Sequence, residues 1–380
     1  MISLRARRML AGEREVRDWW VTLEGDTIVE VGPRPGAAER YDLGDLELVP
    51  GLIDLHSDCL EELAHPRPSA EFELESTFHE YDALLVAWGV TTNYLCLTLD
   101  DDARKWRTRE RALETERTLR RVHGALRTEQ RLHLRVDVTS ESLDLLHAFA
   151  AGGHVALVSY MDHAPGAGQF PTEEAWRTFY GRNSTSEELD RLIQRRLDGR
   201  GRVEETRRAI ASYARELGAS LASHDDDSRA SIELAAELGV AIAEFPVNAE
   251  AAAAAHARGL GVVMGAPNAR RGSSHVDNLS AREALAGGWL DALCSDYHPP
   301  SLLSAAYALA AGGACSWAQA LALVTRGPAR IAGLQDRGVI APGMRADLVA
   351  VDARSGHPVV RQTWIAGVPA LGIAAEVLAV

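Results

Sequence analysis

His56, Ser57 and Asp58 close a short apolar run, LVPGLIDLH. In an extended segment, residues i and i+2 point to the same side. The imidazole of His56 and the carboxylate of Asp58 can therefore grip one ion, a pairing that suits zinc, manganese or iron. A single pair of this kind can equally be a histidine hydrogen-bonded to its neighbour at the mouth of a sheet. Here the pair has company. Other apolar runs end in Asp137, in Asp162-His163, in His224-Asp225-Asp226-Asp227, in Glu244 and in Ser295-Asp296. Buried carboxylates without partners are costly. A divalent ion offsets that cost and lowers the pKa of water to about 7, so the chemistry expected is metal-assisted hydrolysis. Asp296 has two competing roles, ligand and base for the attacking water. Asp226 and Asp227 read more simply as acids in the first turn of a helix.

A second group of residues suits anions. Asn268-Ala-Arg-Arg-Gly-Ser-Ser-His275 follows a later apolar run, GVVMGAPN. Arg270 and Arg271 offer planar forks that match phosphate oxygens. Gly272 lets backbone N–H groups come close, and Ser273 and Ser274 donate hydrogen bonds. The chain has 40 Lys+Arg against 54 Asp+Glu, a net charge of −14. Such a surface repels nucleic acid and anionic membranes, so an arginine pair within it is read as a local anion pocket, the alternative being a basic surface loop near acids. MDHAPGAGQF (161–170) sets His163 and Gln169 on a tight turn, read as a substrate-contacting loop.

The elements that must position these residues are legible as runs. Eight apolar runs recur: LVPGLIDLH, VTTNYLCLT, LHLRVDV, HVALVSYMD, ASLASHD, GVAIAEFPV, GVVMGAPN and DALCSDY. Amphipathic stretches such as SRASIELAAELG separate them. Apolar strands each followed by a helix indicate a parallel sheet buried on both faces. Eight such units predict a (β/α)₈ barrel over residues 51–342, with function at the C-terminal strand ends. Residues 1–50 and 343–380 read instead as short strands and turns, with a hairpin at Gly25-Asp26. The insertion 171–215 is predicted helical and partly exposed, and its RLIQRRLDGRGR is read as a solvated helix in preference to a lid.

Composition narrows the classes further. Of 380 residues, 46% are hydrophobic and 25% charged, which excludes a wholly disordered chain. No run of about 18 apolar residues exists to span a membrane. MISLRARRMLAGER does not read as a secretory signal, and the four scattered cysteines look like reduced thiols, so a cytoplasmic location is expected. His65, His79, His123, His133, His147, His154, His256, His298 and His357 have no convergent partner and are assigned surface or core roles.

PGLIDLHSD, SDY and G-x-I-x-x-G-x-x-A-D-L-V-x-x-D (338–352) together resemble the amidohydrolase superfamily. The resemblance implies a metal-bearing barrel with a small composite β-sandwich from both chain ends, 1–50 and 343–380. MDHAPGAGQF, SHDDD, AEFP, MGAPNARRGSSHVDNLSA and SDYHPPSLL are similar to a phosphonate-catabolism branch of that superfamily, on the carbon–phosphorus lyase pathway. The implied reaction is hydrolysis of a ribose 1-methylphosphonate 5-triphosphate to the 5-phosphate and diphosphate. On this reading His56, Asp58, Asp162, His224, Glu244 and Asp296 bind one or two divalent ions, zinc or manganese. The superfamily's usual HxH is HxD here, and its usual sixth-strand His is Glu244; both changes favour a harder ion. The only lysine, Lys105, lies far from the fourth strand, so a bridging ligand must be a carboxylate: Asp162, with Asp137 as the alternative. Asp296 would deprotonate the water, His275 would meet the leaving diphosphate, and His163, Arg270, Arg271, Ser273 and Ser274 would hold the substrate. The expected partner is a small phosphorylated ribose, with no nucleic acid or membrane and with a homo-oligomer left open. Two rivals stand beside this reading. A cyclic-amide hydrolase or deaminase would leave the arginine pair unexplained. A non-catalytic scaffold subunit would leave carboxylates at five strand ends without a purpose.

Overall fold

A computed structural model describes residues 1–67, 69–99, 107–139, 143–149, 153–181, 184–272 and 278–371. Two sheets organise them. The first begins with β1 (Ile2–Ala11), β2 (Arg14–Glu24), β3 (Thr27–Gly32), β4 (Glu39–Asp42) and β5 (Glu47–Pro50). The hairpin from β2 to β3 turns at Gly25, whose φ of 59° lies in the left-handed region that favours glycine. The chain then enters the second sheet through β6 (Leu52–Ser57), β7 (Val90–Thr98), β8 (Glu129–Asp137) and β9 (Val155–Met161). It continues through β10 (Ser220–His224), β11 (Ile242–Glu244), β12 (Gly261–Gly265) and β13 (Leu290–Cys294). Finally β14 (Leu348–Asp352), β15 (Val359–Ile365) and β16 (Val368–Leu371) return to the first sheet, where β14 pairs antiparallel with β5. That sheet is mixed, because β1 pairs antiparallel with β2 but parallel with β4 and β5.

The second sheet is parallel throughout, and its strands lie side by side in sequence order from β6 to β13. A parallel bridge between Ser57 and Asp296 brings its last strand back to its first. This is the expected eight-stranded barrel, and each of the eight apolar runs supplies one of its strands. Burial explains why they are apolar. Leu132, Leu134, Leu221 and Val262 pack outward beneath the helices. Tyr94, Leu157, Ala222, Ile242, Val263 and Ala292 fill the interior. The mixed sheet keeps a core of its own around Leu4, Met9, Val21, Ile28, Leu348 and Trp364.

At the opposite end from the predicted site, Glu129 opens β8 as the acceptor of three arginines. Arg131 Nε lies 2.7 Å from its Oε1, and Arg337 Nη1 and Arg345 Nη1 lie 2.6 and 2.7 Å from its Oε2. Arg337 also donates to Thr92 Oγ1 of β7 at 2.9 Å. These contacts fasten the segment that leads into β14 onto the base of the barrel.

The insertion forms helices Glu173–Tyr180, Ser186–Gly199 and Val203–Leu217. Thr172 and Thr185 cap the first two, the latter through a reciprocal capping box with Glu188. Trp176, Leu189 and Ile193 bury a small core against Phe170. These helices are more than a solvated appendage. The Arg196 guanidinium pairs with buried Asp137, and Phe179 and Tyr180 stand on the wall of the cleft above the barrel.

Candidate metal centre

The centre is built on Glu244, the last residue of β11, which is fully buried. Its Oε1 lies 3.1 Å from His56 Nδ1, and its Oε2 lies 3.2 Å from His224 Nδ1 and 3.7 Å from His133 Nε2. Burial alone would raise the pKa of this carboxyl. The facing His56 ring and the hydrogen bonds from His224 and His56 outweigh burial and hold it well below the usual carboxylate range. His133 moves the other way: burial drives it down to about 3, so its ring stays neutral. The His56 and His224 rings stack at 25° with centroids 5.5 Å apart, both presenting Nδ1 to the same carboxylate. A carboxylate on one ring nitrogen fixes the tautomer and frees the other nitrogen for an ion.

Around this hub the described residues offer four groups whose ligand atoms lie within 4.8 Å of one another: His56-His224-Glu244, His56-Asp58-Asp296, His163-His224-Asp225 and, deeper in the barrel, His56-Cys96-His133. Local backbone geometry helps to place them. Asp225, Phe245 and Asp296 follow β10, β11 and β13 with φ of 59°, 54° and 56°. Left-handed conformations of this kind cost about 1–3 kcal/mol each for non-glycine residues and persist only when the surroundings enforce them. Here the neighbouring strands do so: Asp225 N donates to Glu244 O, Phe245 N to Val263 O and Asp296 N to His56 O, at 2.8–2.9 Å. Burial pushes the Asp296 carboxyl up to about 6, with His56 opposing.

Arg135 of β8 enters the middle of these groups, with only 8% of its side chain exposed. Its Nη1 lies 2.8 and 3.1 Å from the two oxygens of Asp58, and its Nη2 lies 3.4 Å from His224 Nε2. The guanidinium and the His56 ring hold Asp58 below its ordinary range despite burial. On the far side, His163 Nε2 lies 3.4 Å from Asp225 Oδ2, and among the described residues neither buried atom has a hydrogen-bond partner. Gly168 crowds this corner. Its φ is +52°, and a Cβ there would sit 3.2 Å from the carbonyls of Asp162 and Asp225. The donor set of imidazole and carboxylate fits zinc or manganese, and the unpartnered His163 and Asp225 atoms are what an ion or a polar substrate would satisfy.

The structure brings His56, Asp58, His224, Glu244, Asp296 and His163 together. Asp162 is not among them. Its carboxylate accepts from Ala164 N at 3.1 Å and lies 4.0 Å from Arg207. Asp137 is likewise committed, to the backbone and hydroxyl of Thr139 and to Arg196. Carboxylates just past a strand end are readily captured by the backbone N–H two residues on, and both are. Ser273, Ser274 and His275 lie outside the described residues. Both arginines of the pair are exposed, but Arg271 lines the cleft and reaches Tyr297 Oη at 3.4 Å, whereas Arg270 does not line it. His133, expected in a surface or core role, stands against Glu244, and Arg135, which no sequence motif singled out, lies beside it. A signal existed: His133, Arg135 and Asp137 stand at i, i+2 and i+4 of one strand, a polar row on one face of an otherwise apolar run.

Above the centre opens a cleft of about 500 Å³. Arg107, Arg135, Arg196 and Arg271 all line it, together with the aromatic rings of Phe179 and Tyr297. Among the described residues, no helix is long and apolar enough to cross a membrane.

The Amidohydrolase family model matches residues 203–373. The Escherichia coli (strain K12) alpha-D-ribose 1-methylphosphonate 5-triphosphate diphosphatase is 40% identical over 331 residues, 84% of this chain and 87% of that one. Among solved structures, N-acetyl-D-glucosamine-6-phosphate deacetylase from Mycobacterium smegmatis superposes with a TM-score of 0.67 at 17% identity, covering 98% of this chain and 100% of that one. Dihydropyrimidinase from Brevibacillus agri gives 0.65 at 14% identity, covering 97% and 95%. At such identities these two speak for the fold alone. The long match to the Escherichia coli protein speaks for kinship, and this chain belongs to the amidohydrolase family, in the group of that diphosphatase.

Proposed function

We propose that this chain is a metal-dependent hydrolase that converts alpha-D-ribose 1-methylphosphonate 5-triphosphate to the 5-phosphate and diphosphate. The observation that carries this reading is the cleft. Four arginines, Arg107, Arg135, Arg196 and Arg271, surround a carboxylate–imidazole centre in a chain whose net charge is −14. The lining sets these four guanidinium groups beside five carboxylates, Asp58, Glu61, Glu62, Asp225 and Asp296; guanidinium forks match phosphate oxygens, and together with a divalent ion on the carboxylates they would suit a triphosphate, whereas a neutral cyclic amide has no use for them. The name of the Escherichia coli relative supplies the substrate class.

In this reading His56, Asp58 and Asp296 hold the ion, and Glu244 orients the His56 and His224 rings. A divalent ion, zinc or manganese, supplies Lewis-acid charge and eases ionisation of water near neutral pH. Asp296 accepts the proton of the attacking water. Arg271 and Arg196 neutralise the phosphate chain, and the His275 loop receives the departing diphosphate. Phe179 and Tyr297 flank the ribose. Residues 1–50 and 343–380 are assigned to a supporting composite domain and 51–342 to the barrel, with 372–380 outside the described residues. The setting is cytoplasmic, with a small phosphorylated ribose as partner and no nucleic acid.

The test is product profiling. Purified protein with added zinc or manganese is offered the ribose 1-methylphosphonate triphosphate, nucleoside triphosphates and a panel of cyclic amides. Release of diphosphate from the first substrate is expected. Turnover of a cyclic amide with no diphosphate release from any triphosphate would overturn the reading.

A further inference from the structure

Arg135 does more than line the cleft: it occupies the centre of the site. Two of the candidate ligand groups, His56-Asp58-Asp296 and His163-His224-Asp225, lie on either side of it. Its guanidinium touches one member of each. Nη1 holds Asp58 at 2.8 Å, and Nη2 faces His224 Nε2 at 3.4 Å.

The contacts of the two histidines determine where an ion can sit. His224 Nδ1 lies 3.2 Å from a Glu244 carboxylate oxygen, which can only accept, so Nδ1 carries the proton. Nε2 is then the lone-pair nitrogen, and the group facing it is a guanidinium, which can only donate. His224 is thus satisfied at both ends by protein. His56 differs. Its Nδ1 is committed to Glu244 in the same way, but among the described residues no guanidinium is hydrogen-bonded to its other nitrogen, and Asp58 and Asp296 stand beside it. An ion at His56-Asp58-Asp296 meets that nitrogen and two carboxylates; Asp58 already accepts from Arg135, but a carboxylate has lone pairs enough for a guanidinium and an ion together. An ion at His163-His224-Asp225 would have to displace Arg135 from His224, because an imidazole nitrogen has a single lone pair and the guanidinium faces it.

We infer that Arg135 is a built-in cation that takes the place of a second metal ion, so that the centre binds one divalent ion per chain, at His56, Asp58 and Asp296. The inference rests on the proposed metal-dependent hydrolase and specifies its stoichiometry. Arginine suits the task because its guanidinium stays protonated even when buried, and the carboxylates around this one favour that charge further.

The experiment counts ions and does not read turnover, so its outcome is separable from the identity of the substrate. Chain loaded with manganese and dialysed is analysed by plasma emission. One equivalent is expected for the wild type. Arg135→Met removes the charge and both donors while keeping a long side chain, and it frees His224 Nε2 and Asp58. It is expected to bind two equivalents. Two equivalents in the wild type, or one in an Arg135→Met chain that retains the wild-type circular dichroism, overturns the inference. Should that variant fail to fold, electron paramagnetic resonance of manganese-loaded wild type decides alone. The six-line spectrum of an isolated ion supports the single site, and the multiline spectrum of an exchange-coupled pair refutes it.

Discussion

Glu244 and Glu129 are both carboxylates at strand ends, each contacted by three cationic or potentially cationic side chains, at opposite ends of the barrel. Glu244 is fully buried and meets imidazoles: His56, His133 and His224. Glu129 is partly exposed and meets guanidinium groups: Arg131, Arg337 and Arg345. The choice of partner separates their uses. Guanidinium never gives up its charge, so the Glu129 cluster is a fixed ionic clamp between the barrel base and the strands that come after it. Imidazole can donate at one nitrogen and offer a lone pair at the other. The Glu244 cluster therefore orients ring nitrogens toward a cleft, where an ion or a proton can be exchanged. A permanent counter-ion builds structure; a titratable one leaves a valence for chemistry.

That contrast can be attacked from both sides. The largest effect is expected at Asp296, beside the Glu244 cluster. Asp296→Asn is nearly isosteric but cannot take a proton, so kcat for diphosphate release should fall about 10²–10⁴-fold. Added metal should not restore it. Recovery at high metal would reduce Asp296 to a ligand and move the base elsewhere.

Next comes Glu129→Gln, which should affect stability and spare turnover. The folded carboxyl sits at about 2 against an ordinary value of 4.5, with Arg337 overcoming the effect of burial. A depressed carboxylate stabilises the fold above its unfolded pKa, and the benefit disappears as pH falls from about 4.5 toward 2. The shift corresponds to at most about 3 kcal/mol, and partial exposure brings it nearer to about 2 kcal/mol. Urea denaturation at pH 7 should show that loss in the variant. Between pH 4.5 and 2 its stability should fall less steeply than that of the wild type. An unchanged denaturation midpoint at pH 7 would mean the clamp contributes nothing.

Glu244→Gln keeps the shape but replaces one acceptor oxygen with a donor, so one of the two histidine tautomers loses its support. Metal affinity should drop about 10–100-fold, the usual scale for groups that orient ligands. Titration against a chelating dye measures it. Complete loss of metal would instead make Glu244 itself a ligand.

The last comparison concerns the arginine pair, and the smallest effect falls on Arg270. Arg271→Ala removes a charge-assisted contact in the cleft and should lower kcat/KM by about 1.5–3 kcal/mol equivalent, with metal content unchanged. Arg270→Ala should cost less, because that side chain does not line the cleft. Equal losses at both positions would place Arg270 on the substrate as well.

The barrel was legible because a parallel strand is buried on both faces and so reads as an uninterrupted apolar run. All eight runs became strands, in order. His56, Asp58, His224, Glu244 and Asp296 were legible because polarity at the end of such a run breaks the pattern. Residues inside a run were harder to read. Arg135 and His133 lie within β8, where each polar residue alone resembles an outward-facing one; only the barrel's closure puts that face inside. Asp162 shows the converse, a strand-end carboxylate whose oxygen was taken by Ala164 N.

Residue types and periodicity by themselves determined the fold class, the end of the barrel that carries the chemistry, and the kind of chemistry that clustered imidazoles and carboxylates perform. These are properties of short stretches, where burial writes itself as a period of two or as an unbroken apolar run. Only the tertiary structure decided which nitrogen of His224 faces Glu244, that Arg135 stands between the ligand groups, and that Asp162 stays out of them. The first two depend on distances between residues from 20 to 89 apart in sequence, and a one-dimensional pattern does not specify which of two atoms on a ring meets a given partner.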